Sequence, residues 1–334
     1  MSETPNLATP TPEEPTLEGH YWGSVNTWEC DENAHQNVRF FANKIEQALR
    51  SWLIANTGTH ALGARVPGAI RAHHIRFLRE ARAATPVRVD VGVVAPLEQH
   101  SASATANTER HRTGSASDAH VTLLSVMRHS ATGEALAAFL TRLDRSALVN
   151  EPGTVPPLPV PGEALPIAPA WAQPRGLKLP LPAPPQSLAH ALDAGFRVVG
   201  QGVIAREECS AVGTAHPWVY IGRISDGMPN LWVLMNDASD RAARESGQMG
   251  GAALEYHVAV LEPLAADDVY VHLAGVREVG EKTQTMAHIV MNTRTGRCAA
   301  QAAAVGVAMD LTTRKAVTIP EARRARLQSM RLRE

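Results

Sequence analysis

The longest helical pattern in the chain follows a polar turn. Residues 28–45 open with acidic and amide side chains and run, without glycine or proline, into apolar positions that continue to about Ile54. These apolar residues cover more than one face, which is typical of a helix buried on several sides. The pattern therefore predicts a helix from the end of the turn to about Ile54, with a sheet wrapped around it.

Four segments after this helix have the short or alternating apolar patterns of strands. They are residues 69–80, 87–97, 121–129 and 134–144. The turn at residues 130–133 indicates a β-hairpin between the last two, although the alanines of the last segment would also suit a helix. Residues 101–118 have no period and few apolar groups, which predicts a mobile loop between paired strands.

Two proline-rich segments divide the chain. Residues 1–18 hold prolines among threonine and glutamate, which predicts a disordered N-terminal arm. Between residues 151 and 185 lie 12 of the 23 prolines, so this segment cannot be a regular helix or a central strand. We interpret residues 151–188 as a linker that lies against protein, because at about 3.1 Å per residue it could join two distant modules.

The second half of the chain repeats the first. Aligning residues 206–225 with residues 27–46 without gaps places Glu208 on Glu29 and Cys209 on Cys30, an offset of 179. Further on, residues 269–271 fall on residues 87–89 with an offset of 182, and the Thr-Gly turn at 295–296 falls on 132–133 with an offset of 163. The repeat predicts a first module at residues 19–150, a second at residues 189–320 that lacks the 101–118 loop, and a basic tail at residues 321–334.

The turn before the helix carries a family resemblance. Asp31, Ala34, His35 and Asn37 resemble the D-x-x-G-H-x-N signature of hotdog-fold acyl-CoA thioesterases of the 4-hydroxybenzoyl-CoA thioesterase type, and residues 297–320 resemble the last strands of such enzymes. Ala34 replaces the glycine of the signature and would be strained if that position needs a positive φ. The resemblance implies an α+β tandem double hotdog, in which each module is an antiparallel sheet wrapped around a long central helix and the sheets join edge to edge.

The same resemblance implies hydrolysis of an acyl-CoA thioester to the free acid and coenzyme A. Asp31 would act as general base or nucleophile, His35 would orient it, and Asn37 would cap the helix, so these three are the catalytic candidates. Backbone amides at a helix N-terminus can hold an oxyanion, which makes this end of the helix the expected substrate-binding site. The residues concerned are Val38, Arg39, Phe40 and Phe41. The chemistry requires no metal and no cofactor, because coenzyme A is part of the substrate.

The second module has lost these groups. Ser210 stands at the position of Asp31, Thr214 at that of His35, and His216 at that of Asn37. Pro217 follows and suits the first turn of a helix, so the fold signal persists while the carboxylate is gone. The first module is therefore predicted to be catalytic, and the second to be a degenerate partner that shapes the other wall of a pocket.

Several alternatives stay open from the sequence. Glu46 lies on the helix, where some hotdog thioesterases carry a catalytic glutamate instead. Hotdog enoyl-CoA hydratases carry D-x-N-P-x-H, but here Ala34 replaces the proline and His35 follows Asp31 by four positions rather than five. A non-catalytic acyl-CoA-binding module is the third possibility, since duplicated folds often lose activity. A further group on matching strands could line the pocket: His73, His74, Glu255 and His257.

Composition bears on partners and location. The 334 residues are 44% hydrophobic and 19% charged with a net charge of −1, which gives no electrostatic argument for binding nucleic acid or an anionic membrane. Three cysteines make neither a C-x-x-C motif nor an even disulfide set, and this favours a reducing cytoplasm. No apolar run approaches the roughly 18 to 20 residues that span a bilayer. We expect a cytoplasmic enzyme without nucleic-acid or membrane partners, and self-association of double-hotdog chains into a homo-oligomer stays open.

Overall fold

The computed structural model describes residues 17–94, 119–148, 167–177, 181–246 and 249–333. The first module contains β1 (Glu18–Ser24), α1 (Val38–Thr57), α2 (His60–Ala69), β2 (Ile70–Phe77), β3 (Pro86–Val94), β4 (His120–His129) and β5 (Ala135–Asp144). The second contains α3 (Leu188–Asp193), β6 (Arg197–Val203), α4 (Pro217–Met235), α5 (Ala238–Glu245), β7 (Met249–Val260), β8 (Val269–Val279), β9 (Thr283–Asn292), β10 (Cys298–Asp310), β11 (Lys315–Ala316) and α6 (Glu321–Ser329). The predicted 101–118 loop and most of the predicted N-terminal arm lie outside the described residues.

Helix α1 forms where the pattern predicts it and runs three residues further. The side chain of Asn37 accepts a hydrogen bond from the Arg39 N–H, which is a standard N-cap, and Gly58 ends the helix at φ 66°. Its apolar residues are buried around much of its circumference, including Phe41, Ile45 and Trp52. A helix with so little solvent-facing surface needs protein on several sides, and the sheet, α2 and α4 supply it.

All strands pair antiparallel in one sheet that runs through both modules. The order is β1-β3-β4-β5-β2-β7-β10-β9-β8-β6, with β11 beside β10. The seam is the β2–β7 pair, where His74 faces His257 and Ile75 faces Tyr256. Each module therefore wraps its own half of the sheet around its own helix, α1 or α4, and the halves join edge to edge. The chain is a tandem double hotdog, and the predicted fold class is confirmed.

The repeat extends to individual hydrogen bonds. The Gln36 N–H donates to the Ala81 carbonyl over 2.7 Å, and the Ala215 N–H donates to the Leu264 carbonyl over 2.7 Å. Buried Glu29 pairs with Lys44 of α1 at 2.5 Å, and Glu208 pairs with Arg223 of α4 at 2.6 Å. Both modules therefore hold the turn before the helix against the helix and against the loop that follows β2 or β7 in the same way.

The predicted offset between the third strands is wrong by one residue. Gly23 pairs with Val87 in the first module and Gly202 pairs with Tyr270 in the second, so Tyr270 matches Val87 with an offset of 183. Val87 and Tyr270 are both buried, whereas Val269 is 45% exposed. A shift of one residue exchanges the faces of a strand, so burial decides between two valine-rich alignments that look alike in sequence.

Part of the predicted linker crosses the outer face of the sheet. Ala168, Ala172 and Leu177 are buried there. Backbone N–H groups of residues 175–177 donate to the Glu255 carboxylate over 2.7–3.2 Å, and Glu255 also bonds His74 at 2.7 Å. These hydrogen bonds hold the pKa of Glu255 at about 2 although burial acts to raise it. Residues 175–177 of the predicted linker are thus hydrogen-bonded to the sheet at the seam between the modules.

Some elements went unpredicted because their patterns are weak. Edge strands β1 and β6 are exposed on most positions and show no alternation. Helix α2 contains Gly63, Pro67 and Gly68, which lower helix propensity. The basic tail includes α6, whose Leu327 is buried. None of the described helices is both long enough and apolar enough to cross a membrane.

Candidate active site

A cavity of about 770 Å³ lies between the turn of the first module and helix α4 of the second. Its polar lining includes Asp31, Asn33, His35, Glu80 and Arg314. Its aromatic and apolar lining includes Phe41, Phe77, Met228, Trp232, Tyr256 and Met286. The aromatic rings contact one another edge to face, with centroids 5.5 Å apart for Phe41 and Phe77 and 5.8 Å for Phe77 and Tyr256. Both modules are needed to form it.

The turn that carries Asp31 is closed by its own side chain. Oδ1 of Asp31 accepts hydrogen bonds from the Asn33 N–H at 2.9 Å and, more weakly, from the His35 N–H at 3.4 Å. Among the described residues, Oδ2 has no hydrogen-bond donor, so one carboxylate oxygen holds the turn while the other is open to the cavity. Ala34 lies at φ 60°, so it has the positive φ that would strain an alanine in place of the glycine of the signature. At the matching position of the second module the residue is glycine, Gly213, with φ 85°.

Two of the four predicted amides at the start of α1 already donate hydrogen bonds to Asn37. The Arg39 N–H donates to the Asn37 side chain and the Phe40 N–H donates to the Asn37 carbonyl, each over 3.0 Å. The Val38 N–H has no acceptor among the described residues, and Val38 lines the cavity. Phe41 also lines the cavity.

Arg39 and Phe40 are turned away from the cavity. The Arg39 guanidinium lies over the rings of Phe40 and Trp218, 5.3 and 5.2 Å from their centroids. These side chains therefore pack between α1 and α4 and do not join the predicted substrate-binding set. The helical period decides this, because residues 39 and 40 point to a different side of α1 than residues 38 and 41.

His35 lies between two charged side chains that the sequence analysis missed. Its Nε2 atom is 2.8 Å from Glu80 Oε2 and 3.1 Å from Arg314 Nη1. Burial lowers the pKa of His35, Glu80 raises it, and Arg314 lowers it further. Arg314 belongs to the D-x-x-T-R-K stretch at residues 310–315, within the segment that resembles the last strands of hotdog thioesterases, but it is 279 positions from His35. Glu80 belongs to no motif, so no local signal paired either residue with His35.

Matching hydrogen bonds cross between the two central helices. Asn37 Nδ2 donates to Ser225 Oγ over 2.9 Å, and His216 Nδ1 lies 2.6 Å from Glu46 Oε1. Asn37 matches His216 in the repeat, and Ser225 matches Glu46. Asn37 therefore caps α1 and ties it to α4, while Glu46 is buried against His216 away from the cavity.

The corresponding turn of the second module, residues 210–216, lacks the groups of the candidate site. Ser210 Oγ lies 3.1 Å from Thr214 Oγ1, and no carboxylate stands in this turn. Pro217 replaces Val38 and has no N–H. A Cβ at Gly68 would lie 3.2 Å from Thr214 Oγ1, so the end of α2 packs directly on this turn.

The face of α1 that corresponds to the cavity wall is buried. Leu49 and Leu53 of α1 are 1% and 0% exposed, whereas their counterparts Met228 and Trp232 are half-buried and line the cavity. The duplication therefore has one open site and one filled site. The chemical asymmetry predicted from the sequence coincides with this difference in packing.

The remaining candidates lie elsewhere. His74, Glu255 and His257 sit at the seam, with Glu255 bound to the linker, and His73 bonds Thr141 at 3.0 Å inside the first module. None of these four side chains is in the cavity lining, although Leu254 and Tyr256, the two neighbours of Glu255 on β7, are. Among the residues that the structure describes, no three His, Cys, Asp or Glu side chains converge as metal ligands would.

The fold has clear relatives among solved structures, while sequence comparison finds none. No family model matches the chain, and no curated protein matches it in sequence. A protein from Lactobacillus plantarum, assigned provisionally as an oleoyl thioesterase, matches with a TM-score of 0.54 and 12% identity over 92% of this chain and 99% of its own. The 12:0-ACP thioesterase from Umbellularia californica matches with a TM-score of 0.53 and 13% identity over 86% of this chain and 92% of its own.

A third structure, an acyl-ACP thioesterase from Bacteroides thetaiotaomicron VPI-5482, has a TM-score of 0.50 and 11% identity over 86% of this chain and 96% of its own. These matches span both modules, so the likeness covers the tandem arrangement. At such low identity it establishes a shared fold.

Proposed function

We propose that the protein is a thioesterase that hydrolyses an acyl-CoA to the free acid and coenzyme A. One observation carries the proposal: Asp31 and Val38, whose N–H has no acceptor among the described residues, line the same cavity, together with aromatic and methionine side chains. A carboxylate beside an unpaired amide at a helix N-terminus suits acyl transfer, because the first activates or replaces water and the second stabilises the oxyanion. The carboxylate precedes the helix, as in the 4-hydroxybenzoyl-CoA thioesterase type.

In this proposal the thioester carbonyl oxygen accepts a hydrogen bond from the Val38 N–H. Asp31 Oδ2 removes a proton from water as the water oxygen attacks the carbonyl carbon, and collapse of the adduct breaks the C–S bond and releases the coenzyme A thiolate, which takes up a proton. In the alternative route the Asp31 carboxylate attacks directly, and water then hydrolyses the mixed anhydride. Oδ1 serves the turn in either route.

The acyl group would enter the apolar part of the cavity. A volume of about 770 Å³ lies in the range of small-molecule sites. The aromatic and methionine side chains in its lining favour an apolar acyl group, and burial raises the pKa of Tyr256 to about 12, so its hydroxyl stays neutral there. The three free cysteines fit the cytoplasmic location that we propose for the enzyme.

An acyl carrier protein is the second candidate carrier of the acyl group. Two structures that share the tandem fold over most of the chain are acyl-ACP thioesterases by name. The phosphopantetheine arm is common to both carriers, and hydrolysis of either thioester would use the same two groups at the turn. Coenzyme A remains our proposal because the turn resembles that of the acyl-CoA enzymes.

The test is release of free thiol from acyl-CoAs of graded length and polarity, with the same acyl groups on an acyl carrier protein run in parallel. Asp31→Asn keeps the oxygen that closes the turn but removes the base or nucleophile, so turnover should fall by at least about 10²-fold with little change in stability. Ser210→Ala is the matched control in the second module and should retain activity.

Other outcomes have distinct meanings. Consumption of an enoyl-CoA without thiol release would indicate a hydratase, and saturable binding with neither reaction would indicate a binding module. Full turnover by Asp31→Asn would refute the assignment of this carboxylate.

A further inference from the structure

The connection between β10 and β11 brings Arg314 of the second module into the site of the first. Asp310 closes this turn, since Oδ1 accepts the Thr312 and Thr313 N–H groups over 2.9 and 2.7 Å and its carbonyl accepts the Arg314 N–H over 2.8 Å. Arg314 itself lies at φ 55°, in the left-handed region that favours glycine. A strained backbone at a residue other than glycine persists only where the surroundings enforce it, and such strain is often found at functional sites.

The side chains of Arg314 and Glu80 both contact the same atom, Nε2 of His35. Arg314 Nη1 lies 3.1 Å and Glu80 Oε2 lies 2.8 Å from Nε2 of His35. Arg314 Nη1 is 3.8 Å from Glu80 Oε1, so the two also face each other. The His35 side chain is only 12% exposed, while those of Glu80 and Arg314 are 36% and 33% exposed.

These two partners demand opposite states of the same nitrogen. A guanidinium only donates hydrogen bonds, so the contact with Arg314 requires a lone pair on Nε2. A carboxylate only accepts them, so the contact with Glu80 requires a proton on Nε2. Whichever contact is stronger therefore decides whether His35 presents an acceptor or a donor at the cavity.

We propose that Arg314 is a positioning residue for His35: it holds the ring at the cavity with a lone pair on Nε2, in competition with Glu80, which holds the same nitrogen protonated. The second module thus acts, against Glu80 of the first, on the protonation of His35. The inference deepens the proposed function and rests on it for the role of His35 in thioester hydrolysis. The second module offers no such network of its own, because Thr214 stands at the position of His35.

Other groups around His35 also affect the pKa of its ring. Asp31 on the same turn and Glu80 favour the protonated ring, whereas Arg314 and Arg82 disfavour it, as does burial. Arg82 is 3.7 Å from Glu80 and its side chain is 59% exposed, so its effect on the ring is indirect. The competition at Nε2 is therefore mainly between Arg314 and Glu80.

The test is an NMR titration of the His35 ring in the unliganded full-length protein, with the signal assigned by its loss in His35→Gln. Arg314→Gln should raise the pKa of His35 and Glu80→Gln should lower it, because each variant removes a charge that contacts Nε2. Arg314→Lys keeps the charge and should stay closer to the wild type than Arg314→Gln.

Arg79→Gln is the matched control. Arg79 also lines the cavity, but its guanidinium pairs with Glu134 at 2.8 Å and is 65% exposed, so its removal should leave the His35 titration unchanged. An unchanged or lowered pKa in Arg314→Gln, or a shift of the same sign in the Arg314 and Glu80 variants, overturns the proposal. If Arg314→Gln fails to fold, Glu80→Gln and Arg314→Lys still decide it.

A pH–rate profile of thiol release provides the second readout. The limb that reports His35 should move to higher pH in Arg314→Gln and to lower pH in Glu80→Gln. If the protein releases no thiol, the proposed function fails while the NMR titration still measures the coupling. If thiol is released but neither titration nor profile moves, the proposed function stands and this inference alone fails.

Discussion

Val38→Pro would remove the free amide of the site and little else. The second module shows that the fold accepts proline here, because Pro217 begins α4 at the matching position. The residues before it have nearly the same backbone, with φ −64° and ψ 142° at Asn37 and φ −63° and ψ 140° at His216. This extended conformation is the one that a residue before proline prefers.

The expected loss follows from the hydrogen bond that disappears. Removal of one oxyanion donor typically costs about 10²–10³ in turnover, or about 2.7–4 kcal/mol of transition-state stabilisation. Folding stability should change by no more than about 1 kcal/mol, because the rigid ring restricts the unfolded chain while the half-buried valine side chain loses some packing. Val38→Pro should therefore lose activity while its folding stability changes little.

The assay is thiol release from the best acyl-CoA, with thermal unfolding followed in parallel. Both kcat and kcat/KM should fall together, since the bond to the oxyanion strengthens in the transition state. Val38→Ala keeps the N–H and loses most of the side chain, so it is the matched control and should retain activity within a few fold. A Val38→Pro enzyme as active as Val38→Ala would refute the oxyanion role of this amide.

Three further predictions concern stability. Ala34→Gly should raise the free energy of unfolding by about 1 kcal/mol in urea denaturation because it relieves a positive φ, and Gly213→Ala should lower it; equal effects of one sign would contradict this reading. Gly227→Ala on α4 should destabilise by about 1–3 kcal/mol, since its Cβ would lie 2.4 Å from the buried ring of His272; a neutral result would show that the ring can move. Burial lowers the pKa of three histidines from 6.5 to about 4: His73, His257 and His272. As the pH falls, the unfolded chain binds these protons before the folded protein does. The free energy of unfolding should therefore be highest above about pH 6.5 and fall towards pH 4 by up to roughly 3 kcal/mol per histidine. A free energy of unfolding that does not change over this range would exclude neutral buried rings.

The sequence alone determined the features that local physics encodes. The α1 helix, its N-cap at Asn37 and the strands around it follow from periodicity and capping chemistry, which act within a few residues. The duplication follows from self-similarity over many positions. The loss of Asp31 and of the Val38 amide in the second module, through Ser210 and Pro217, is visible without coordinates because it depends only on which functional groups a residue carries.

Only the tertiary structure decided which turn opens to a cavity. Helix α2 packs on Thr214 in the turn of the second module, whereas Met228 and Trp232 of α4 line the cavity beside the turn of the first, and neither arrangement has a sequence signature. The sheet likewise decided the register that puts Tyr270 rather than Val269 on Val87, because both alignments conserve alternation and only burial separates them. Glu80 and Arg314 reach His35 from separate loops, and long-range convergence of this kind is set by the packing of the whole chain.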